Sequence, residues 1–141
     1  MKKLIIVLGI CLLGFGCDKV ENDDDQIRQN EINRQFIGLW KYAVPHDKNT
    51  EPYYGFTVNF KYTSFLLMLH SGDKLPSTYD GKPYHFEKGP ECSKGTVYTL
   101  VLDNRLKEFI CKYNGLLYMW WQENSDPDKY VGNPDYAYER N

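Results

Sequence analysis

The chain has 141 residues, with 17 Lys and Arg against 19 Asp and Glu and a formal net charge of −2. This near balance excludes the clustered excess of basic residues that nucleic-acid binding requires. The length suits one domain with one hydrophobic core. Aromatic residues are abundant, with 12 Tyr, and long helical periodicities are absent, so the composition favours β-strands.

The first 16 residues have the pattern of a secretory signal. Lys2 and Lys3 precede an apolar run from Leu4 to Gly16, which has 13 residues. A bilayer span needs about 20 residues, so the run is too short to cross a membrane but has the length of a signal-peptide core. We therefore expect residues 1–16 to be cleaved.

Gly16-Cys17, at the end of this run, resembles the lipobox of bacterial lipoproteins. The resemblance implies that Cys17 carries several acyl chains, and more than one chain is what stable anchoring takes. It also implies an anchor in the outer membrane of a Gram-negative bacterium, with the protein facing the periplasm or exposed at the surface. Two alternatives are cleavage before Cys11 and an ordinary signal peptide that leaves Cys17 as a free thiol.

Residues 17–25 are acidic, with five carboxylates and one Lys after the cysteine. Like charges repel one another, so we expect an extended tether between the lipid-bearing Cys and the domain. Such a run also resembles the surface-export signals of some Gram-negative lipoproteins. Without the signal and the tether, 14 of the 17 basic and 14 of the 19 acidic residues remain, so the domain over residues 26–141 is neutral.

The sequence of this domain predicts one short helix followed by strands. Acidic residues 23–25 can cap a helix over 26–35. Alternation of apolar and polar residues predicts strands, and Asn114-Gly115 is the strongest hairpin signal in the chain. The predicted strands are 36–42, 53–62, 65–70, 96–102, 106–113, 116–122 and 136–140, with irregular edge strands around the turn signal Asp80-Gly81.

Short turns between successive strands predict an all-β fold, an antiparallel up-and-down barrel of eight strands, because an open sheet would leave unpaired edges. A two-residue loop at Asn114-Gly115 pairs Phe109 with Trp120 on one face, and we predict that this face is the interior. The residues expected to line a ligand site there are Tyr98, Phe109, Tyr113, Tyr118, Trp120, Phe56 and Phe60.

The opposite face of the same hairpin carries Glu108 and Lys112, and we expect this face to meet solvent. Met119 and Trp121 fall on it too. They are either an exposed contact patch for another protein or ordinary apolar surface residues.

Gly38-Leu39-Trp40, on the first strand and after a short helix, resembles the Gly-x-Trp signature of the lipocalins, a calycin-type family, and of bacterial lipocalin-like lipoproteins. In that family the Trp closes one barrel end beneath a basic residue from near the C-terminus. Arg140 stands at that position. The resemblance implies a lipocalin-like barrel closed by Trp40 and Arg140. The alternative, an ordinary core tryptophan, supports the same barrel.

Cys92 and Cys111 are the two cysteines outside the signal and the anchor. In an oxidising compartment they can form a disulfide that closes a loop of about 20 residues. The alternative is a pair of buried thiols, since the predicted register places Thr96 rather than Cys92 opposite Cys111.

No catalytic constellation or metal motif is recognisable in the sequence. His46, His70 and His85 lie on separate predicted elements without ligand spacing. Residues 126–128 hold two carboxylates but lack the Gly and Glu of an EF-hand loop. We therefore expect no enzymatic activity, no metal and no cofactor.

Two kinds of function remain after these exclusions. An eight-stranded barrel with an aromatic interior suits one small, partly apolar or sugar-like ligand. The alternative is a protein-binding module. Such a module is either an inhibitor of a lysozyme-type hydrolase, since Ser71-Gly72 resembles the start of the Ser-Gly motif of those inhibitors, or an accessory subunit of an envelope or surface complex. Nucleic acid is not an expected partner in either case.

Overall fold

The computed structural model describes residues 23–45, 47–122 and 125–141. The chain divides into two compact units, Met1–Glu31 and Ile32–Asn141. The predicted signal peptide and Cys17 lie outside the described residues. Within the described ranges, no helix combines the length and the apolarity needed to cross a bilayer.

Residues 23–34 are helical, so the acidic residues 23–25 belong to a helix and not to the extended tether expected there. All three of these residues are exposed. Repulsion between exposed charges in water is only about 1 kcal/mol at 4 Å. Helix formation therefore tolerates it.

One antiparallel sheet of nine strands forms the second unit. The strands are β1 Gly38–Tyr42, β2 Thr50–Phe56, β3 Tyr62–Met68, β4 Lys74–Pro76, β5 Tyr84–Lys88, β6 Val97–Leu102, β7 Leu106–Tyr113, β8 Leu116–Trp120 and β9 Ala137–Arg140. Two short 3-10 helices, Pro127–Lys129 and Pro134–Tyr136, precede β9. The order across the sheet is β4-β3-β2-β1-β9-β8-β7-β6-β5, which makes the first and last strands neighbours at its centre.

The sheet is a half-barrel whose two edges are β4 and β5. An isolated bridge joins Lys61, which precedes β3, to Pro83, which precedes β5, and the Tyr62 N–H donates to the Lys82 carbonyl at 2.8 Å. The mostly β, antiparallel fold with one helix is confirmed, but the closed ring of eight strands is not. Pro76 and Pro83 flank the segment between β4 and β5, and neither has an N–H with which to extend the pairing.

The strand predicted over 53–62 is interrupted by a turn. The Thr57 hydroxyl donates to the Lys61 carbonyl at 3.0 Å and accepts from the Lys61 N–H at 3.1 Å. Phe60 has a φ of 55°. Because these side-chain bonds compete with ladder pairing, β2 ends at Phe56 although the apolar alternation continues.

The Asp80-Gly81 signal does not form a hairpin, since β4 pairs with β3 and β5 pairs with β6. Asp80 Oδ1 instead accepts a hydrogen bond from the Ser64 N–H at 2.9 Å. The Gly81 N–H donates to the Tyr62 carbonyl at 2.7 Å. The turn therefore fastens the segment before β5 to the beginning of β3.

The loop between β6 and β7 has three residues, one more than the predicted pairing of Thr96 with Cys111 allows. Asp103 and Asn104 adopt φ values of 50° and 55°, and the Arg105 N–H donates to the Leu102 carbonyl at 3.0 Å. Leu102 therefore pairs with Leu106. The extra residue shifts the register by one position, and such a shift exchanges the faces of all side chains on one strand relative to the other.

The Asn114-Gly115 hairpin has the predicted register, with Phe109 opposite Trp120 and Tyr113 opposite Leu116. Both turn residues have positive φ, 50° and 80°. This is the backbone that a two-residue turn of this kind requires.

The two faces of the sheet carry two separate clusters. The inner cluster draws on nearly every strand and contains Ile32, Phe36, Trp40, Phe56, Tyr62, Tyr84, Phe86, Leu100, Leu102, Ile110, Leu117, Met119 and Tyr138. The outer cluster joins β6–β9 to the segment with the 3-10 helices and contains Val97, Cys111, Tyr118, Trp120, Tyr130, Val131 and Ala137. Both faces are therefore apolar around β7 and β8.

Candidate functional site

One part of the inner cluster is packed around Trp40, and we call it the Trp40 end. The Trp40 Nε1–H donates to the Phe36 carbonyl at 2.8 Å. The Arg140 guanidinium lies over the Trp40 ring, 4.9 Å from Cζ to the ring centre. Gly38 has a φ of 137°, and a Cβ there would lie 3.4 Å from Arg140 Nε. The positive φ favours glycine at this position, and a Cβ would meet the guanidinium at an ordinary contact distance.

The last turn of the helix is tied to the sheet through the buried Asn33. Its Nδ2 donates to the Thr57 carbonyl at 2.9 Å, and its Oδ1 accepts from the Tyr84 hydroxyl at 2.7 Å. A buried amide left without partners costs about 1–3 kcal/mol. These bonds hold the turn in place, and Phe36 follows it into the inner cluster.

A pocket of about 210 Å³ opens elsewhere on the inner face. We call it the tyrosine pocket, and its lining residues are Tyr42, Tyr54, Glu108, Met119, Trp120, Trp121 and Tyr138. Antiparallel pairing of β1 with β9 places Tyr42 directly opposite Tyr138. Five strands thus converge on one small space.

The tyrosine rings of the pocket pack against one another. Tyr42 and Tyr138 are stacked with ring centres 4.6 Å apart, and Tyr54 meets Tyr138 edge-on at 5.4 Å. A hydrogen bond also joins the side chains of Tyr42 and Tyr138. Burial raises the pKa of Tyr54 to about 12 and raises that of Tyr138 as well. Both hydroxyls therefore stay protonated near neutral pH.

Glu108 supplies the carboxyl group of the pocket. The sequence predicts Glu108 on the solvent face, but the register of β6 with β7 sets it opposite Leu100, which belongs to the inner cluster. Burial raises the pKa of Glu108 to about 7, because loss of hydration disfavours the charged form. Charged and neutral forms are therefore both populated near neutral pH.

No cationic side chain among residues 23–45, 47–122 and 125–141 forms an ion pair with Glu108. Its charge is felt by the neighbouring tyrosines instead. Burial, and next the Glu108 charge, raise the pKa of Tyr62. The deprotonated carboxylate is thus surrounded by aromatic rings without a positive charge from the described part of the chain.

Three of the residues predicted to bind a ligand pack at the inner cluster. They are Phe56, Phe60 and Tyr98. Phe109, Tyr113, Tyr118 and Trp120 belong to the outer cluster instead, so their assignment to the interior is wrong. Trp120 also borders the tyrosine pocket.

Two causes explain this error. The register shift between β6 and β7 put Tyr98 on the Phe109 face in the prediction, although it lies opposite Ile110. In addition, the segment with the 3-10 helices covers the outer face. Tyr130 stacks on Trp120 with ring centres 5.1 Å apart. An outer face covered in this way carries the same apolar pattern as an interior.

Met119 and Trp121 occupy different environments. Met119 is buried in the inner cluster, whereas Trp121 follows the end of β8 and is 70% exposed. The predicted surface position of Met119 is therefore wrong. Trp121 remains available at the mouth of the tyrosine pocket.

Cys92 and Cys111 are free thiols in the structure and not the predicted disulfide. Both pack at the outer cluster. The Cys92 Sγ–H donates to Asp128 Oδ1 at 3.3 Å, and the neighbouring Ser93 hydroxyl donates to the same oxygen at 2.7 Å. Lys94 Nζ donates to the Asp128 carbonyl at 2.9 Å. Asp128 therefore holds the Cys92 segment against the first 3-10 helix.

The described residues contain no group of three or more His, Cys, Asp or Glu placed to hold a metal ion. His46 lies outside them. His85 Nε2 lies 3.4 Å from Glu87 Oε1 on the surface of β5.

Comparison with protein-family models, curated proteins and solved structures gives no match for this chain.

Proposed function

We propose that this protein is a membrane-anchored, lipocalin-like lipoprotein that binds a small, partly apolar ligand in the tyrosine pocket. The observation that supports this is a space of about 210 Å³ bordered by three tyrosines, Met119 and a carboxyl group. Ligand sites are concave, with a few convergent polar groups that fix the orientation of the ligand. Sites for drug-sized ligands span about 300–1,000 Å³, so this one suits a molecule of about one ring.

In this proposal the half-barrel works as an eight-stranded barrel, with the three-residue β4 as an accessory edge. β1–β3 and β5–β9 would form the ring, and the bridge between Lys61 and Pro83 lies between the strands that would have to join. Trp40 and Arg140 would close the ring at one end. Binding then needs neither a cofactor nor catalysis.

Native mass spectrometry of the protein purified from a Gram-negative host tests ligand binding. We expect an added mass that disappears on denaturation. Tyr54→Phe removes a hydroxyl from the pocket and should reduce retention of the added mass. Tyr53→Phe is the matched control, because Tyr53 is the next residue on β2 and its hydroxyl donates to Glu51 outside the pocket. A bare mass, together with no binding of single-ring compounds, would overturn the proposal.

Membrane anchoring is tested separately by cell fractionation. Cys17→Ser should move the protein from the membrane pellet to the soluble fraction, because the proposed acyl chains would have no attachment point. Cys92→Ser should leave it in the pellet. Sedimentation of the Cys17→Ser variant with the membranes would contradict the anchor. A density gradient that separates the inner membrane from the outer membrane of the host then checks the proposed outer-membrane location.

A protein partner is the second candidate, and exposed leucines near β3 and β4 favour it. Leu66, Leu69 and Leu75 are 42%, 50% and 53% exposed. Leu66 and Leu69 also line a groove of about 250 Å³ together with Tyr42. Leu69→Ser should abolish co-purification of a partner and leave the ligand mass unchanged, with Val58→Ser as the control at another exposed position. Inhibition of a lysozyme-type hydrolase is the direct assay for one such partner.

A further inference from the structure

The tyrosine pocket combines aromatic side chains with a carboxyl group that has no charged partner in the described part of the chain. A carboxylate that is removed from water is stabilised by an opposite charge or by hydrogen bonds to its charged form. The rings of Tyr42, Tyr54 and Tyr138 are placed around the same space, with the exposed Trp121 at its border. An aromatic face attracts a cation within about 6 Å of the ring centre.

We infer that the tyrosine pocket binds a small organic cation, namely a protonated amine attached to an apolar group of about one ring. The inference rests on the proposed function and specifies its ligand class. The ammonium would meet the Glu108 carboxylate and the tyrosine faces, and the apolar group would lie toward Met119. An anion is disfavoured there because it would face the Glu108 charge. A neutral molecule would leave that charge without a counter-ion.

A metal ion is a poorer match for the same pocket. Its lining offers one carboxylate, and the described residues hold no group of three or more metal-ligating side chains. Hard cations such as Ca²⁺ take about six to eight oxygen ligands. A soft organic cation needs only one counter-charge and several ring faces.

Binding of a cation should depend on pH through Glu108. The titratable groups around it are Tyr42, Tyr54, Tyr62 and Tyr138. Burial raises the pKa values of Tyr54, Tyr62 and Tyr138, so these three stay neutral between pH 5.5 and 8. Burial raises the pKa of Glu108 to about 7. The deprotonated fraction therefore increases about 30-fold between pH 5.5 and 8, and the affinity should increase with it for an amine that stays protonated.

Three probes of one shape test the ligand class by titration calorimetry on the purified protein. They are phenethylammonium, 2-phenylethanol and phenylacetate. We expect phenethylammonium to bind at least about ten-fold more tightly than 2-phenylethanol, a difference of about 1.4 kcal/mol in binding free energy. Phenylacetate should not bind. Glu108→Gln should remove the preference for the ammonium. Glu87→Gln, which changes an exposed carboxylate paired with Lys107, should leave it intact.

A second measurement uses the wild-type protein and therefore does not depend on the folding of a variant. Titrations of the wild-type protein at pH 7 in buffers of different ionisation enthalpy should show proton release on ammonium binding, because the bound cation favours the charged form of Glu108. Equal binding of the ammonium and the alcohol, without proton release, would overturn the cation inference and leave the small-ligand function standing. Failure of all three probes, together with a bare native mass, would overturn both.

Discussion

The Trp40 end and the tyrosine pocket lie on one face of one sheet, and β1 contributes Trp40 to the first and Tyr42 to the second. At the Trp40 end the chain satisfies its own polar groups. The indole N–H has a carbonyl partner, and Arg140 lies over the ring. In the pocket, Glu108 receives no positive charge from the described residues, and Trp121 is exposed. Polar groups that the chain satisfies belong to the core, whereas the absence of a counter-charge at Glu108 is what supports the proposed binding site.

The largest expected effect is at the Trp40 end. Trp40→Ala should lower the free energy of unfolding by about 3–5 kcal/mol, because it removes a buried ring, its hydrogen bond and the surface beneath Arg140. Urea denaturation measures this change. Trp121→Ala is the matched control and should change stability by no more than about 0.5 kcal/mol, since that ring is 70% exposed.

Equal losses in the two tryptophan variants would erase the contrast between the two regions. A large loss in Trp121→Ala alone would show that the mouth of the pocket, and not the Trp40 end, carries the packing energy.

A smaller effect is expected at the pocket, and it depends on pH. The folded-state pKa of Glu108 is about 7 against an ordinary value of 4.5. The folded state therefore binds more protons than the unfolded state between these values. Stability that is present below pH 4.5 is lost as the pH rises to 7, and the loss is then constant. The difference is roughly 2–3 kcal/mol, reduced from the full shift because the side chain is partly exposed.

Urea denaturation at pH 4.5, 6, 7 and 8 measures this loss against Glu108→Gln, which cannot ionise and should lack it. The Glu87→Gln variant should retain the pH dependence of the wild type in this range, because hydrogen bonds to Lys107 and His85 hold the pKa of Glu87 below its usual value. Parallel pH profiles for the wild type and Glu108→Gln would mean that Glu108 is solvated and that the two regions do not differ in this respect.

Local sequence signals predict the register of two strands correctly where the turn residues allow only one loop length. Asn114-Gly115 favours positive φ at both positions, and its hairpin forms with the expected register. Asp103-Asn104 also adopts positive φ, but Arg105 joins the loop as a third residue. Nothing in these three residue types distinguishes a two-residue from a three-residue loop. That single ambiguity placed Tyr98 on the face of Phe109 instead of the face of Glu108.

The sequence could not reveal the tyrosine pocket for a second reason, which is long-range. Apolar side chains lie on both faces of β7 and β8, because the segment with the 3-10 helices covers the outer face. Glu108, which supplies the carboxyl group of the pocket, then looks in the sequence like an ordinary surface carboxylate. Its environment comes from Tyr54 and Tyr138, which lie more than 25 positions away on β2 and β9. Part of the environment of Trp40 is local by contrast, since its Nε1–H donates to the carbonyl of Phe36, four residues earlier.

The smallest expected change in stability concerns Arg140, whose guanidinium lies over the Trp40 ring. Arg140→Ala should lower stability by about 0.5–1 kcal/mol, since the guanidinium is exposed but lies over the indole face. Arg140→Lys keeps the charge and loses the flat stacking group, so it should recover only part of this energy. Arg105→Ala, at an exposed turn, is the control for the loss of one positive charge. If Lys restores full stability, charge alone matters at this end, and the planar contact that distinguishes it from the pocket contributes nothing.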